Sequence, residues 1–101
     1  MLCEFRTSPF GSSESVSRDV AEVIELIESS GLPSQTHAMG TIVEGEWDEI
    51  MDLIRRCHAL LRENHRRVIT DIHIDDRENA RNRLAGKVNA LEAHLGRKIR
   101  R

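Results

Sequence analysis

Asp71, His73 and Asp75 stand at alternate positions of one apolar–polar segment, so in an extended strand all three point the same way. Two carboxylates and an imidazole on one face form an oxygen-and-nitrogen set of the kind a divalent ion takes, or the site of a small enzyme. The same spacing also guards an edge strand against mispairing. No second ligand cluster is evident, so no metal is assigned. His37, His58, His65 and His94 fall on separate elements and are expected at the surface. Ser15 and Ser17 open a helical stripe, where hydroxyls cap free N–H groups or join them in holding an anion or a polar ligand head. Met39-Gly40-Thr41 is a bend, because Gly40 lets backbone turn or approach closely. Glu44 is a nearby hydrogen-bond acceptor. Trp47 is either a packing anchor at a helix start or an aromatic wall for a ring.

Nucleophilic catalysis finds no support. No serine sits in a strained strand-to-helix elbow, and neither Cys3 nor Cys57 has a basic partner on its own strand or helix face. The two cysteines make no C-x-x-C pair and no zinc spacing. They are expected as buried thiols of a cytoplasmic protein in a reducing compartment.

The elements that must position these residues follow from periodicity. Leu2 to Ser8 alternates, with Cys3, Phe5 and Thr7 on one face. Pro9 to Ser13 is turn material. Val16, Val20, Val23, Ile24 and Ile27 recur at helical spacing until Gly31 and Pro33 end the helix. Thr36 to Met39 and Thr41 to Glu44 flank Gly40 as two strands of a hairpin or one bent strand. A second helix opens at Gly45 to Glu49 with acids at its positive end. Its stripe is Ile50, Leu53, Ile54, Cys57 and Leu61. Arg67 to Asp75 is the last strand, with Val68, Thr70, Ile72 and Ile74 on one face. Leu84, Val88, Leu91 and Leu95 give a narrow-striped third helix that needs a docking surface.

This order predicts an α+β fold: a ferredoxin-like βαββαβ unit with a four-stranded antiparallel sheet and an extra C-terminal helix. The first and third strands are central, and the first two helices share one face. A chain of 101 residues is expected to form a single domain, residues 1–101. At that size partners would help its stability. A net charge of −2 does not steer it toward nucleic acid or anionic membranes. No apolar run nears the ~20 residues of a membrane span, and no signal peptide is read before the first strand. The basic end, Arg97 to Arg101, reads as a frayed, solubilising tail. RNA-recognition domains share the element order but stack bases on aromatic residues of the central strands. Here those outward positions hold Leu2, Glu4, Arg6, Ile42 and Glu44.

The outward sheet face therefore poses a question. Leu2, Ile42 and Ile69 lie on it among charges. It is a solvated surface, an oligomer interface or a ligand floor.

The segment MGTIVEGEWDE, with SPFGSSESVS before it and TDIHIDDR after it, resembles the small thiamine-binding protein family, from about Cys3 to Leu95. The shared features are the turn Pro9-Phe10-Gly11, the helix start Ser15-Val16-Ser17, Met39-Gly40-Thr41 with Glu44-Gly45, and the acidic strand end Asp75-Asp76-Arg77. Two departures are Phe10, where a leucine is common, and the arginine-rich loop Asp76 to Arg83. The resemblance implies a cytosolic, non-enzymatic ferredoxin-like protein that forms dimers or tetramers. It also implies a thiamine or hydroxymethylpyrimidine ligand, no resident cofactor, and no nucleic-acid or membrane partner. The expected pocket is lined by Ser15, Ser17, Met39, Gly40 and Thr41, with Glu44 near and Asp71 on its border. The alternative is an oligomeric regulatory protein that holds another small anionic metabolite at helix ends.

Overall fold

The computed structural model describes residues 1–11 and 17–101. Seven elements follow one another: β1 (Leu2–Pro9), α1 (Ser17–Ser29), β2 (Ser34–His37), β3 (Gly40–Glu44), α2 (Trp47–Arg62), β4 (Val68–Asp75) and α3 (Arg83–Leu95). The four strands form one antiparallel sheet in the order β2-β3-β1-β4, which places β1 and β3 at its centre, as the alternation predicts.

Register fixes the two faces. Cys3 pairs with Val43 and Ile74, and Phe5 with Thr41 and Ile72, so these side chains share the face under the helices. The core is Cys3, Phe5 and Val43 from the sheet, Val23 and Ile27 from α1, and Ile50, Leu53, Ile54, Cys57 and Leu61 from α2. The α2 residues are the ones its 3.6-residue stripe selects. At its start, the Glu46 side chain and that of Glu49 satisfy each other's backbone N–H groups in a capping box. Trp47, the first residue of α2, is more than half exposed among the described residues.

Several boundaries and placements differ from expectation. β2 begins at Ser34 rather than Thr36, and Ala38-Met39 forms the turn rather than the strand end. His58 and His65 are half-buried rather than surface groups. His58 bonds Thr70 at 2.6 Å, and His65 lies 3.1 Å from Asp19 on α1. The C-terminal residues are not a frayed tail. They turn at Gly96 and fold back, so that Glu92 accepts the Ile99 N–H at 2.7 Å and pairs with Arg101. These contacts hold the Glu92 carboxyl below its ordinary range, the Ile99 bond first and the Arg101 guanidinium second.

α3 belongs to the outward face. It starts against β3, where both oxygens of Glu44 accept its first N–H groups, from Arg83 at 2.7 Å and Leu84 at 3.2 Å. None of its residues is buried, and Leu91 and Leu95 remain more than half exposed. The described residues have a radius of gyration of 15.1 Å, above the ~13 Å of a compact 100-residue fold. Among the described residues, no helix is long and apolar enough to cross a membrane.

Candidate functional site

A cavity of about 220 Å3 opens on the helix side of the sheet, between α1 and the β2–β3 turn. Its apolar walls are Phe5 of β1, Val23 and Ile24 of α1, and Met39 of the turn. Thr7, Thr36 and Thr41 supply hydroxyls from three adjacent strands. They do so because inward positions recur every second residue and Thr36 is register-paired with Thr41. Apolar walls with a few placed polar groups are the usual make-up of a small-ligand site.

The hydroxyls differ in their commitments. Thr7 Oγ1 lies 2.7 Å from Thr70 Oγ1, which in turn lies 2.6 Å from His58 Nδ1, so Thr7 is tied into a buried chain. Thr36 and Thr41 have no side-chain partner among the described residues and can each donate and accept. Thr41 is the better placed, being buried at 5 % exposure while still lining the cavity.

Gly40 forms the lip. A Cβ there would lie 2.9 Å from the Phe5 carbonyl oxygen, so only glycine lets β3 approach β1 at this point. The turn beside it is held by His37, whose Nδ1 accepts the Met39 N–H at 3.2 Å.

The residues expected from sequence divide cleanly. Met39, Gly40 and Thr41 meet at the cavity. Ser17 is the first residue of α1 and Ser15 lies outside the described residues. Glu44 is elsewhere. Alternation puts it on the outward face, and its carboxylate is taken up by α3. Asp71 is also on the outward face, 3.2 Å from Arg6, with both side chains more than half exposed. The sequence reading missed Thr7, Thr36 and the α1 wall. The signal was present in the inward alternation of three strands, but it needed the β2 register to converge.

The Asp71, His73 and Asp75 face is dispersed by pairing. Asp71 goes to Arg6, and Asp75 to Lys87 of α3, whose ammonium holds the Asp75 carboxyl below its ordinary range. Among the described residues, no three His, Cys, Asp or Glu side chains are grouped to hold a metal ion. Cys3 and Cys57 are free and fully buried. Burial pushes both thiols up to about 11, so they stay protonated at neutral pH and are poor nucleophiles.

Comparison with known proteins gives a consistent relationship. Residues 3–92 match the family described as thiamine-binding protein. The chain is 35% identical over 96 residues to the UPF0045 protein Mb1933 of Mycobacterium bovis, covering 94% of each. It is 32% identical over 91 residues to the UPF0045 protein MJ1052 of Methanocaldococcus jannaschii, covering 90% of this chain and 91% of that one. The crystal structure of the latter superposes with a TM-score of 0.82, over 89% of this chain and 93% of that one. A candidate thiamine biosynthesis/salvage protein of Thermotoga maritima shares the fold at a TM-score of 0.78, with 23% identity over 89% of this chain and 96% of that one.

Proposed function

The chain belongs to the thiamine-binding protein family, and from that premise we propose that it is a non-enzymatic binder of thiamine or its hydroxymethylpyrimidine part. The observation that carries the reading is the cavity beneath the β2–β3 turn, where the free Thr36 and Thr41 hydroxyls face a space walled by Phe5, Val23, Ile24 and Met39. An aminopyrimidine presents an amino donor and ring-nitrogen acceptors, and a hydroxyl serves either. At about 220 Å3 the cavity is smaller than the roughly 300–1,000 Å3 of drug-sized sites and suits one ring. A second, cationic ring that outgrows it passes Met39, which also borders a depression on the outward face with Glu4 and Asp71. Arg6 pairs with Asp71 there, which leaves the Glu4 carboxylate to face a thiazolium charge.

The protein acts by holding its ligand, in the cytoplasm, as a homo-oligomer that covers the outward sheet face and the bare stripe of α3. The buried, protonated thiols support a binding rather than a nucleophilic role.

Titration calorimetry with hydroxymethylpyrimidine, thiamine and their phosphates tests the function, and Thr41→Val tests the site. Removing one hydroxyl at constant shape forfeits about 0.5–1.5 kcal/mol, or roughly 2- to 12-fold in affinity. No heat with any of these compounds on the wild type ends the proposal.

A further inference from the structure

A second cavity, of about 240 Å3, lies at the root of α3. Its charged lining is Arg77, Arg83 and Lys87 against a single carboxylate, Asp75. Lys87 is paired with Asp75. Arg77 and Arg83 have no ion pair among the described residues. Arg83 Nε is buried with no hydrogen-bond partner, which for a charged donor is costly unless something supplies an acceptor. The guanidinium lies back along α3 over Gly86, where an added Cβ would stand 3.4 Å from Nη1. The helix N–H groups are not the attraction, because Glu44 already occupies them. The unsatisfied buried donor is Arg83 Nε, and the exposed Arg77 guanidinium lines the same cavity.

We propose that this cavity is a binding site for a phosphate group, held by Arg83 and Arg77 with Lys87 at its edge. A guanidinium presents paired N–H donors at the spacing of phosphate oxygens, and a compact dianion answers the excess of cations. The site is separate from the cavity beneath the β2–β3 turn. That cavity reaches Thr7 on the helix side, while this one includes Leu2 and Asp75 of the outward face. On β1 the nearest lining residues of the two cavities, Leu2 and Phe5, are three apart and on opposite faces of the sheet, so one ring cannot lie in both. The ligand here is therefore a second molecule, and its phosphate links the protein to a phosphorylated metabolite or to inorganic phosphate.

The test is calorimetry of the full chain with inorganic phosphate at fixed ionic strength, beside sulfate, acetate and chloride. A phosphomonoester arm separates a metabolite from the free ion. The expected result is saturable phosphate binding that chloride does not reproduce. It should weaken about tenfold or more in Arg83→Gln, the loss expected for a charge-assisted fork. It should strengthen in Asp75→Asn, which removes the competing carboxylate. Both variants leave the Glu44 bonds to the α3 backbone in place, and circular dichroism verifies that the helix persists. Binding that scales with ionic strength alone overturns the proposal, as does binding indifferent to Arg83→Gln. Competition between phosphate and hydroxymethylpyrimidine would also overturn it, by showing one site instead of two. Failure of pyrimidine binding on its own leaves the phosphate result standing.

Discussion

Replacing Glu44 with alanine should loosen α3 and leave pyrimidine affinity unchanged. The Glu44 carboxylate accepts two backbone N–H groups at 2.7 and 3.2 Å, and these are the bonds that fix the start of the helix. No substitute is at hand. Asn82 precedes the helix with a left-handed backbone, φ 54°, and its side chain makes no cap bond. Losing a side-chain cap costs about 0.5–2 kcal/mol. That cost falls locally, because α3 buries no residue and its 13 residues are near the ~12–15 below which an isolated helix is marginal in water. The opening equilibrium of α3 should therefore rise roughly 2- to 30-fold. Hydrogen exchange reads it directly: amides of α3 lose protection by that factor, while those of β1 and β4 do not. Two results would refute the reasoning. One is unchanged α3 protection in Glu44→Ala. The other is a loss of pyrimidine affinity, which would return Glu44 to the ligand site.

Gly40→Ala should destabilise the fold by about 1–3 kcal/mol in denaturant unfolding, since its Cβ would stand 2.9 Å from the Phe5 carbonyl and must push β3 from β1. An unchanged midpoint would show that the strands part freely there. Stability should also fall at alkaline pH. Burial raises Cys3 and Cys57 from 9.0 to about 11, so the stabilisation is complete below pH 9 and is lost as pH rises through about 11. A double cysteine-to-alanine variant that keeps the same alkaline transition in thermal unfolding would contradict this. Leu91→Glu with Leu95→Glu should shift light scattering from an oligomer toward the monomer at micromolar concentration, because both leucines are over half exposed in the protomer. A monomeric wild type would remove the premise.

The fold was readable because every element except β2 carried its own period. Cys3 and Phe5 of β1 and the whole stripe of α2 recur in the core, with Thr7 buried beside them. Strand order followed from the antiparallel closure of two βα units, which leaves few alternatives. The site was harder for two physical reasons. β2 has no apolar residue in Ser34-Gln35-Thr36-His37, so nothing in its pattern marked where pairing begins, and the inward placement of Thr36 stayed hidden. Glu44 was misplaced for a different reason. A carboxylate on the outward face was a free acceptor until the third helix arrived from 39 positions along the chain. The half-buried His58 was hidden likewise, because Thr70 faces it from β4 and no local signal on α2 announces a partner.

The geometry at Gly40 links the two sides of the sheet. On the helix side the residue shapes the cavity lip. Beside it His37, register-paired with Gly40, brings its Nε2 to 3.1 Å from Glu4 on β1, though not aligned as a hydrogen bond. The same imidazole holds the Met39 N–H through Nδ1, which makes it a strut between the turn and the centre of the sheet. The contact sets a carboxylate beside the Nε2–H of an imidazole whose Nδ1 accepts, so it is a charge–dipole contact, and the Glu4 carboxylate is half open to water. A partner laid over the outward face would exclude that water and strengthen the contact, since the effective dielectric falls with burial. The turn that carries Met39 would then be held more firmly against the cavity. Thermodynamic linkage makes such an effect reciprocal: whatever assembly adds to ligand affinity, the ligand returns to assembly. The outward face and the small pocket would in this way be joined across one sheet through His37, which touches Glu4 on one side and holds the Met39 turn on the other.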